Sequence, residues 1–208
     1  MEPPLYVGLT LFRQADERPK MAEVLRILSA FVCTASGPIP TPIGVGALYH
    51  PAAASPRVVR AEPVGRLRCS AARHRRFGVH LELFANRRVM IVPAGIGMAP
   101  PLVRDGATVR SGRCSYAVRT RQPTGVLEVA SGSRLTLGDL FAVWGRPLSR
   151  SRLAGYRARR GERIRAWVGG CPWTGPLRAI PLRRHDQIVL EGGGYVPPHA
   201  TYRFPRGL

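Results

Sequence analysis

Residues 79–92 read Val-His-Leu-Glu-Leu-Phe-Ala-Asn-Arg-Arg-Val-Met-Ile-Val, and the secondary structure of the chain is clearest here. In the first half, apolar side chains alternate with His80, Glu82 and Phe84, which is the period of two expected of a β-strand. The polar residues 86–88 then turn the chain into a second apolar run, 89–92. The stretch therefore predicts a β-hairpin.

The sequence beyond this hairpin predicts more short strands and one helix. Thr136 can cap a helix with an apolar i, i+3, i+4, i+7 pattern from Leu137, and Gly145 can end it. The 20 prolines and 23 glycines favour strands and turns over long helices. We expect an α+β fold, mainly antiparallel β with one short helix, and a β-grasp-like sheet is one option. Further strands are predicted at 114–120, 125–130, 163–168, 178–182 and 187–191.

A change in composition divides the chain near residue 62. Residues 27–56 carry no charged side chain, counting histidine as neutral. Prolines at 38, 40, 42 and 51 exclude a transmembrane helix in this stretch, because each would break it. The sequence predicts one β-rich domain, 63–208, behind a segment, 1–62, that is either a flexible leader or a signal or linker region.

The cellular compartment stays open at this stage. If translation started at Met21, Arg26 and the apolar run 27–35 would loosely resemble a secretory signal, although Glu23 weakens the pattern. A cytoplasmic location is therefore slightly favoured over export. The four cysteines include no Cys-x-x-Cys pair. Cys69 and Cys114 each precede a predicted strand and could form a disulfide in an exported protein, whereas in a reducing cytosol they would be small buried groups.

The charge of the chain is strongly positive, with a formal net value of +20. Of the 32 basic residues, Lys20 alone is lysine. Arginine suits planar, bidentate contacts to phosphate or carboxylate, but a GC-rich genome would also supply it wherever a cation is tolerated. Under either interpretation, the field attracts nucleic acid and other polyanions at low salt.

Several motifs occur in a fixed order after residue 69. They are Val92–Gly97 (Val-Pro-Ala-Gly-Ile-Gly), Cys114 with Tyr116, Thr124–Val126, Leu137–Phe141 with Trp144-Gly145, and Tyr202–Pro205. Together they resemble an uncharacterised family of small bacterial proteins that carries a His-Thr-His-Asp motif and a Leu-Gly-x-Phe-Phe-x-x-Trp-Gly segment. The resemblance covers 69–147 and, more loosely, the chain to 208. It implies a shared fold and no particular activity.

This chain departs from the family pattern at most of its histidines. The three alternate histidines of the family correspond to Arg76, Gly78 and His80, and the His-Thr-His-Asp motif corresponds to Arg-Thr-Arg-Gln at 119–122. Imidazoles on two adjacent strands could converge on Zn²⁺ or Cu²⁺. Because a guanidinium cannot donate a lone pair to a metal, the departures imply that a site of the family type is absent here.

Two kinds of site remain as hypotheses for this region. One is a degenerate metal site of His80, Glu82 and Glu128, where Glu128 fills a histidine position of the family. The other is an anion site of Arg76, Arg119 and Arg121. The alternative to both is that these side chains pair with one another on a solvated sheet face.

A second basic stretch lies at 146–165, with eight arginines and one acid. Arg157, Arg159 and Arg160 in this stretch are candidate contacts to nucleic acid or another polyanion, but such a run is also typical of a solvated loop. No zinc finger, RNA-recognition signature or helix-turn-helix pattern accompanies it.

The familiar catalytic motifs are missing from the sequence. It has no Gly-x-Ser-x-Gly elbow, phosphate-binding loop or dinucleotide-binding fingerprint, and no cofactor is implied. We therefore predict a non-enzymatic basic binding or structural protein that binds an anionic partner through arginines. The alternative is a cell-envelope metal-binding protein with a degenerate histidine site.

Overall fold

The computed structural model describes residues 55–199 and 201–208, and the backbone of Pro38–Ile39. Within these residues the helices are α1 (Pro56–Val59) and α2 (Leu137–Trp144), and Leu177–Ala179 forms a 3-10 turn. The strands are β1 (Pro38–Ile39), β2 (Arg76–Ala85), β3 (Arg88–Met90), β4 (Met98–Ala99), β5 (Val103–Asp105), β6 (Thr108–Ser111), β7 (Cys114–Ser115), β8 (Val118–Thr120), β9 (Val126–Ala130), β10 (Arg152–Leu153), β11 (Tyr156–Arg157), β12 (Arg165–Val168), β13 (Cys171–Pro172), β14 (Gln187–Gly192) and β15 (Thr201–Tyr202).

A seven-stranded sheet forms the centre of the described domain. Its order is β13-β12-β14-β2-β9-β8, and β3 pairs with β2 as the predicted hairpin. β2 and β14 run parallel in the middle, and the other pairs are antiparallel. Helix α2 lies in the chain between β9 and β12. The α+β prediction is confirmed, and the four central strands have the order and directions of a β-grasp sheet.

Helix α2 covers one face of this sheet and begins and ends where the sequence predicts. Thr136 accepts a hydrogen bond from the backbone N–H of Asp139, and the Asp139 carboxylate accepts one from the N–H of Thr136. Gly145 ends the helix in the left-handed conformation, with φ of 70°. The core between helix and sheet includes Leu137, Leu140, Phe141, Val79, Leu81, Leu83, Leu127, Ile188 and Leu190.

The opposite face of β2 is covered by the C-terminal segment, which explains why β2 is buried on both faces. Phe204 lies over Gly78, and the Tyr202 ring stacks on His80 with 3.6 Å between centroids. His199 Nδ1 lies 3.0 Å from Glu82 Oε2. The segment 199–204 therefore contacts the alternate, outward-facing positions of β2 one after another.

Gly78 is required by this covering segment. A Cβ at position 78 would lie 2.5 Å from Cδ1 of Phe204, far inside van der Waals contact. We expect Gly78→Ala to displace Phe204, to lower the free energy of unfolding by roughly 1–2 kcal/mol, and to speed proteolysis of the C-terminal segment. Gly155→Ala is the matched control, since a Cβ there meets nothing within 4 Å. Equal proteolysis of the two variants would contradict this role of Gly78.

Two predicted strands differ in the structure. The segment 178–182 is not a strand: Leu177–Ala179 forms the 3-10 turn, and a single bridge joins Pro181 to Thr136. Its prolines, Pro176 and Pro181, cannot donate to a strand ladder. The predicted strand 114–120 is divided into β7 and β8, because the carbonyls of residues 116 and 117 bind Arg76 instead of a neighbouring strand.

The predicted leader, 1–62, lies outside the described residues up to 54, apart from the backbone of Pro38–Ile39. Its last eight residues pack against the domain. Val58 is only 1% exposed and belongs to the core, and the Tyr116 hydroxyl donates to the carbonyl of Glu62. The boundary at residue 63 stays a prediction.

Disulfides join parts of the chain that are distant in sequence. Cys69 and Cys114 are bonded across a sequence separation of 45, and Cys171 is disulfide-bonded as well. Next to the first bond, Ser70 and Ser115 exchange two backbone hydrogen bonds of 3.0 and 2.9 Å. The bond and this bridge hold the segment before β2 against β7.

Candidate anion site

A cavity of about 420 Å³ lies where β8, β9 and the start of β2 meet the end of the C-terminal segment. We call it the arginine cavity. Its wall consists of His74, Arg76, Thr108, Arg119, Arg121, Gln122, Thr124, Val126, Glu128 and residues 205–208. It therefore contains the three arginines that the sequence predicts as an anion site.

Strand pairing places Arg119 beside the single carboxylate side chain of the cavity. Arg119 and Glu128 are partners in the β8–β9 register. Arg119 donates from Nε to Glu128 Oε2 at 2.8 Å, and its Nη2 lies 2.7 Å from the same oxygen. Nη1 of Arg121 lies 3.9 Å from Glu128 Oε1. One carboxylate thus faces two guanidinium groups, and Nη1 of Arg119 has no hydrogen bond to any described residue.

Arg76 has a different role from the other two arginines. Its Nη1 donates to the carbonyls of Ala117 and Glu128, and its Nη2 donates to the Ser115 hydroxyl and the Tyr116 carbonyl. Burial, and then the charge of Arg119, lower the pKa of Arg76 to about 10, so it remains a cation at neutral pH. Arg76 fixes the strands and contributes charge, but only its Nε–H is left for a ligand.

A second cavity, of about 490 Å³, adjoins the arginine cavity. Its wall shares His74, Arg76 and Arg119 with the first and adds Arg73, Arg110 and Arg113, together with Ser70, Ala71, Ala72, Met98, Ser111, Gly112, Cys114 and Ser115. Arg110 pairs with Asp105 of the β5–β6 hairpin, and Arg113 donates to the carbonyl of Val59. With Arg206, the two walls hold seven arginines and one carboxylate side chain.

His80 and Glu82 lie under the C-terminal segment rather than in the cavities. His80 Nδ1 lies 2.6 Å from Gln187 Oε1, and Nε2 lies 3.0 Å from the carbonyl oxygen of Thr124. Burial lowers the pKa of His80 to about 4, so the ring is neutral at pH 7. A neutral ring has one N–H, so Gln187 must turn its amide nitrogen, which has no other partner, toward Nδ1 for both ring nitrogens to be bonded.

The structure does not bring the predicted metal ligands together. Glu82 is paired with His199, and burial raises the pKa of its carboxyl group. Glu128 is paired with Arg119, and both nitrogens of His80 face other groups. Within 55–199 and 201–208, no three His, Cys, Asp or Glu side chains are grouped so that they could hold a metal ion.

The other predicted arginines lie away from the cavities. Arg157, Arg159 and Arg160 are exposed on and after the β10–β11 hairpin. The Tyr156 ring of this hairpin contacts Gly192, which pairs with Ala85 at the end of β2. Arg76 begins the same ten-residue strand, so the two groups of arginines lie at opposite ends of β2, roughly 30 Å apart along it. They cannot bind one small anion together.

Sequence reasoning missed the contribution of the second cavity and of the chain end. Arg73, Arg110, Arg113 and Arg206 were not among the candidate site residues. The run Arg73-His74-Arg75-Arg76 was a local signal of concentrated charge. The contribution of Arg206 depends on the path of the C-terminal segment, for which no local signal exists.

Comparisons with protein-family models, with curated proteins and with solved structures give no match to this chain. The family resemblance inferred from the motifs therefore stays a prediction. The longest helix of the described residues has eight residues, whereas a bilayer span needs about 20, and none of these helices could cross a membrane. Fold and site together define an α+β domain with an arginine-lined cavity at one sheet edge.

Proposed function

We propose that the protein is a non-enzymatic binding protein that holds an anionic partner in the arginine cavity. The observation that carries the proposal is the sharing of one carboxylate, Glu128, by Arg119 and Arg121, beside the further cation Arg76. Guanidinium groups stay protonated at neutral pH, so they attract and orient anions but do not exchange protons with them. The excess positive charge lies in a recess, where an anion is screened less than on an open surface.

Phosphate, sulfate and carboxylate groups all suit this wall. The Nη1 group of Arg119 and the exposed part of Arg121 offer charge-assisted hydrogen bonds, and the side chains of Thr108, Gln122 and Thr124 add neutral donors. Nucleic acid is the less favoured partner, because neither cavity wall contains an aromatic ring on which a base could stack.

The disulfides support a proposal about the compartment. Disulfides persist in oxidising compartments and are rare in the cytosol. The Cys69–Cys114 bond and the bonded Cys171 therefore favour an exported or cell-envelope protein. The envelope metal-binding function stays an untested prediction, and none of the contacts of His80, Glu82 or Glu128 favours it.

We expect the double variant Arg119→Ala/Arg121→Ala to bind orthophosphate or sulfate about tenfold more weakly or worse, since each charge-assisted hydrogen bond contributes about 1.5–3 kcal/mol. Isothermal titration calorimetry at about 0.15 M salt is the measurement. The matched control is Arg157→Ala/Arg159→Ala, which removes the same charge from the exposed hairpin far from the cavity. Equal losses in the two variants would mean that only net charge matters and would overturn the proposal.

A second variant gives the opposite sign. Glu128→Gln removes the internal competitor for both guanidinium groups, so the affinity for the same anions should rise. A fall in affinity, in a variant whose circular dichroism is unchanged, would mean that Glu128 itself holds the ligand.

A further inference from the structure

The two cavities form one continuous trough. His74, Arg76 and Arg119 stand in both walls, so no wall separates the two spaces completely. Each cavity also has arginines of its own, Arg121 and Arg206 in the first and Arg73, Arg110 and Arg113 in the second. The positive charge is therefore spread along the trough rather than focused on one point.

The length of the trough follows from strand β6, which runs beside both cavities. Thr108 lines the arginine cavity, and Ser111, three residues along the strand, lines the second cavity. At about 3.3 Å per residue, the two places are roughly 10 Å apart. A ligand with a single anionic group can fill only one cavity, whereas a chain with several such groups can reach both.

We infer that the ligand is a linear oligoanion, a flexible chain of phosphate or sulfate groups, that occupies both cavities and crosses between them over Arg76 and Arg119. The inference rests on the proposed function and extends it to a class of ligand. A chain without bases fits the walls best, because they offer guanidinium and hydroxyl donors and no aromatic ring.

Chain length should control affinity. Once one anionic group is bound in the arginine cavity, the next groups are held near the second cavity at high effective concentration. Linear polyphosphate should therefore bind about 100-fold or more tightly than orthophosphate, and tripolyphosphate should lie between them. Inositol hexakisphosphate, which is highly charged but compact, should gain less than the linear chain.

The variant that tests the second cavity is Arg73→Ala/Arg110→Ala. Both side chains line that cavity alone and are exposed, so their removal leaves the core intact. We expect this variant to lose most of the advantage of linear polyphosphate over orthophosphate and to bind orthophosphate within about twofold of the parent protein, since its site is in the other cavity. Arg157→Ala/Arg159→Ala serves again as the charge-matched control.

The outcomes separate the two proposals. If orthophosphate binding depends on Arg119 and Arg121 but chain length adds nothing, or adds as much in Arg73→Ala/Arg110→Ala as in the control, the oligoanion inference fails and the anion site stands. If Arg119→Ala/Arg121→Ala changes no binding, both fail. Dextran sulfate compared with polyphosphate identifies the anionic group. A single-stranded oligonucleotide that binds as tightly as polyphosphate of equal phosphate number would overturn the choice of a chain without bases.

Discussion

Replacing Cys69 and Cys114 together by alanine should lower the free energy of unfolding by about 4 kcal/mol, because the bond closes a loop with a sequence separation of 45 and so restricts the unfolded chain. Urea unfolding of both proteins at about 25 °C, followed by tryptophan fluorescence, measures the difference. The double substitution is preferable to a reducing agent, since reduction would also break the bond of Cys171.

This disulfide also bears on the site. It fixes the segment that carries Arg73 against β7, whose Cys114 and Ser115 line the second cavity. If the bond forms in the protein as it is made, the double variant loses stability and the parent protein shows no free thiol at 69 or 114. A loss below about 1 kcal/mol would show that the Ser70–Ser115 bridge holds the segment without the bond, and would remove the main support for an oxidising compartment.

The elements that the sequence predicts well are those fixed by local signals. The hairpin at 79–92 has alternating apolar residues around Asn86 and Arg87, which adopt φ of 51° and 63° in its turn. Helix α2 has its cap, its apolar pattern and its terminal glycine within ten consecutive residues. Such features need no knowledge of distant parts of the chain.

What the sequence does not predict depends on long-range contacts. The parallel pairing of β2 with β14 joins residues more than 100 positions apart, and the alternating pattern of β2 gave no sign that both its faces are buried. The polar side chains of His80 and Glu82 indicated a solvated face, but the aromatic and histidine side chains of the C-terminal segment cover them. The same segment closes one side of the arginine cavity.

The candidate site was predictable in part. Alternation along one strand placed Arg119 and Arg121 together, and the structure puts both beside Glu128. Sequence spacing could not show that Arg76 turns inward to bind four groups of the protein, since that depends on the break between β7 and β8. Charge type was readable from the chain, whereas the availability of each guanidinium group was not.

The folded protein should lose stability as the pH falls from about 6.5 to 4, and His80 should be responsible for about 3 kcal/mol of that loss. In the unfolded chain the imidazole takes a proton below about pH 6.5, whereas in the folded protein burial lowers its pKa to about 4. Between these values the unfolded state binds more protons, so lowering the pH favours unfolding. Above about pH 6.5 both states are neutral, and the contribution is constant.

Buried carboxyl groups act in the opposite direction. Burial raises the pKa of Glu82, Asp186 and Glu191, so the folded state takes up their protons first and gains stability as the pH falls through their raised values. The slope of the parent protein alone is therefore a sum of opposing effects. A difference between two proteins isolates the part that belongs to His80.

The informative measurement is the stability of the parent protein minus that of His80→Gln, from urea unfolding at about pH 7 and about pH 4. Glutamine stays neutral and can still donate to the Thr124 carbonyl, so the variant loses the titrating group and keeps one hydrogen bond. The difference should shift by about 3 kcal/mol against the parent protein at the lower pH. His74→Gln, which removes an exposed imidazole from the cavity wall, is the matched control. A constant difference for His80→Gln would mean that the ring is reached by water, which the Tyr202 stack and the C-terminal segment would then have failed to exclude.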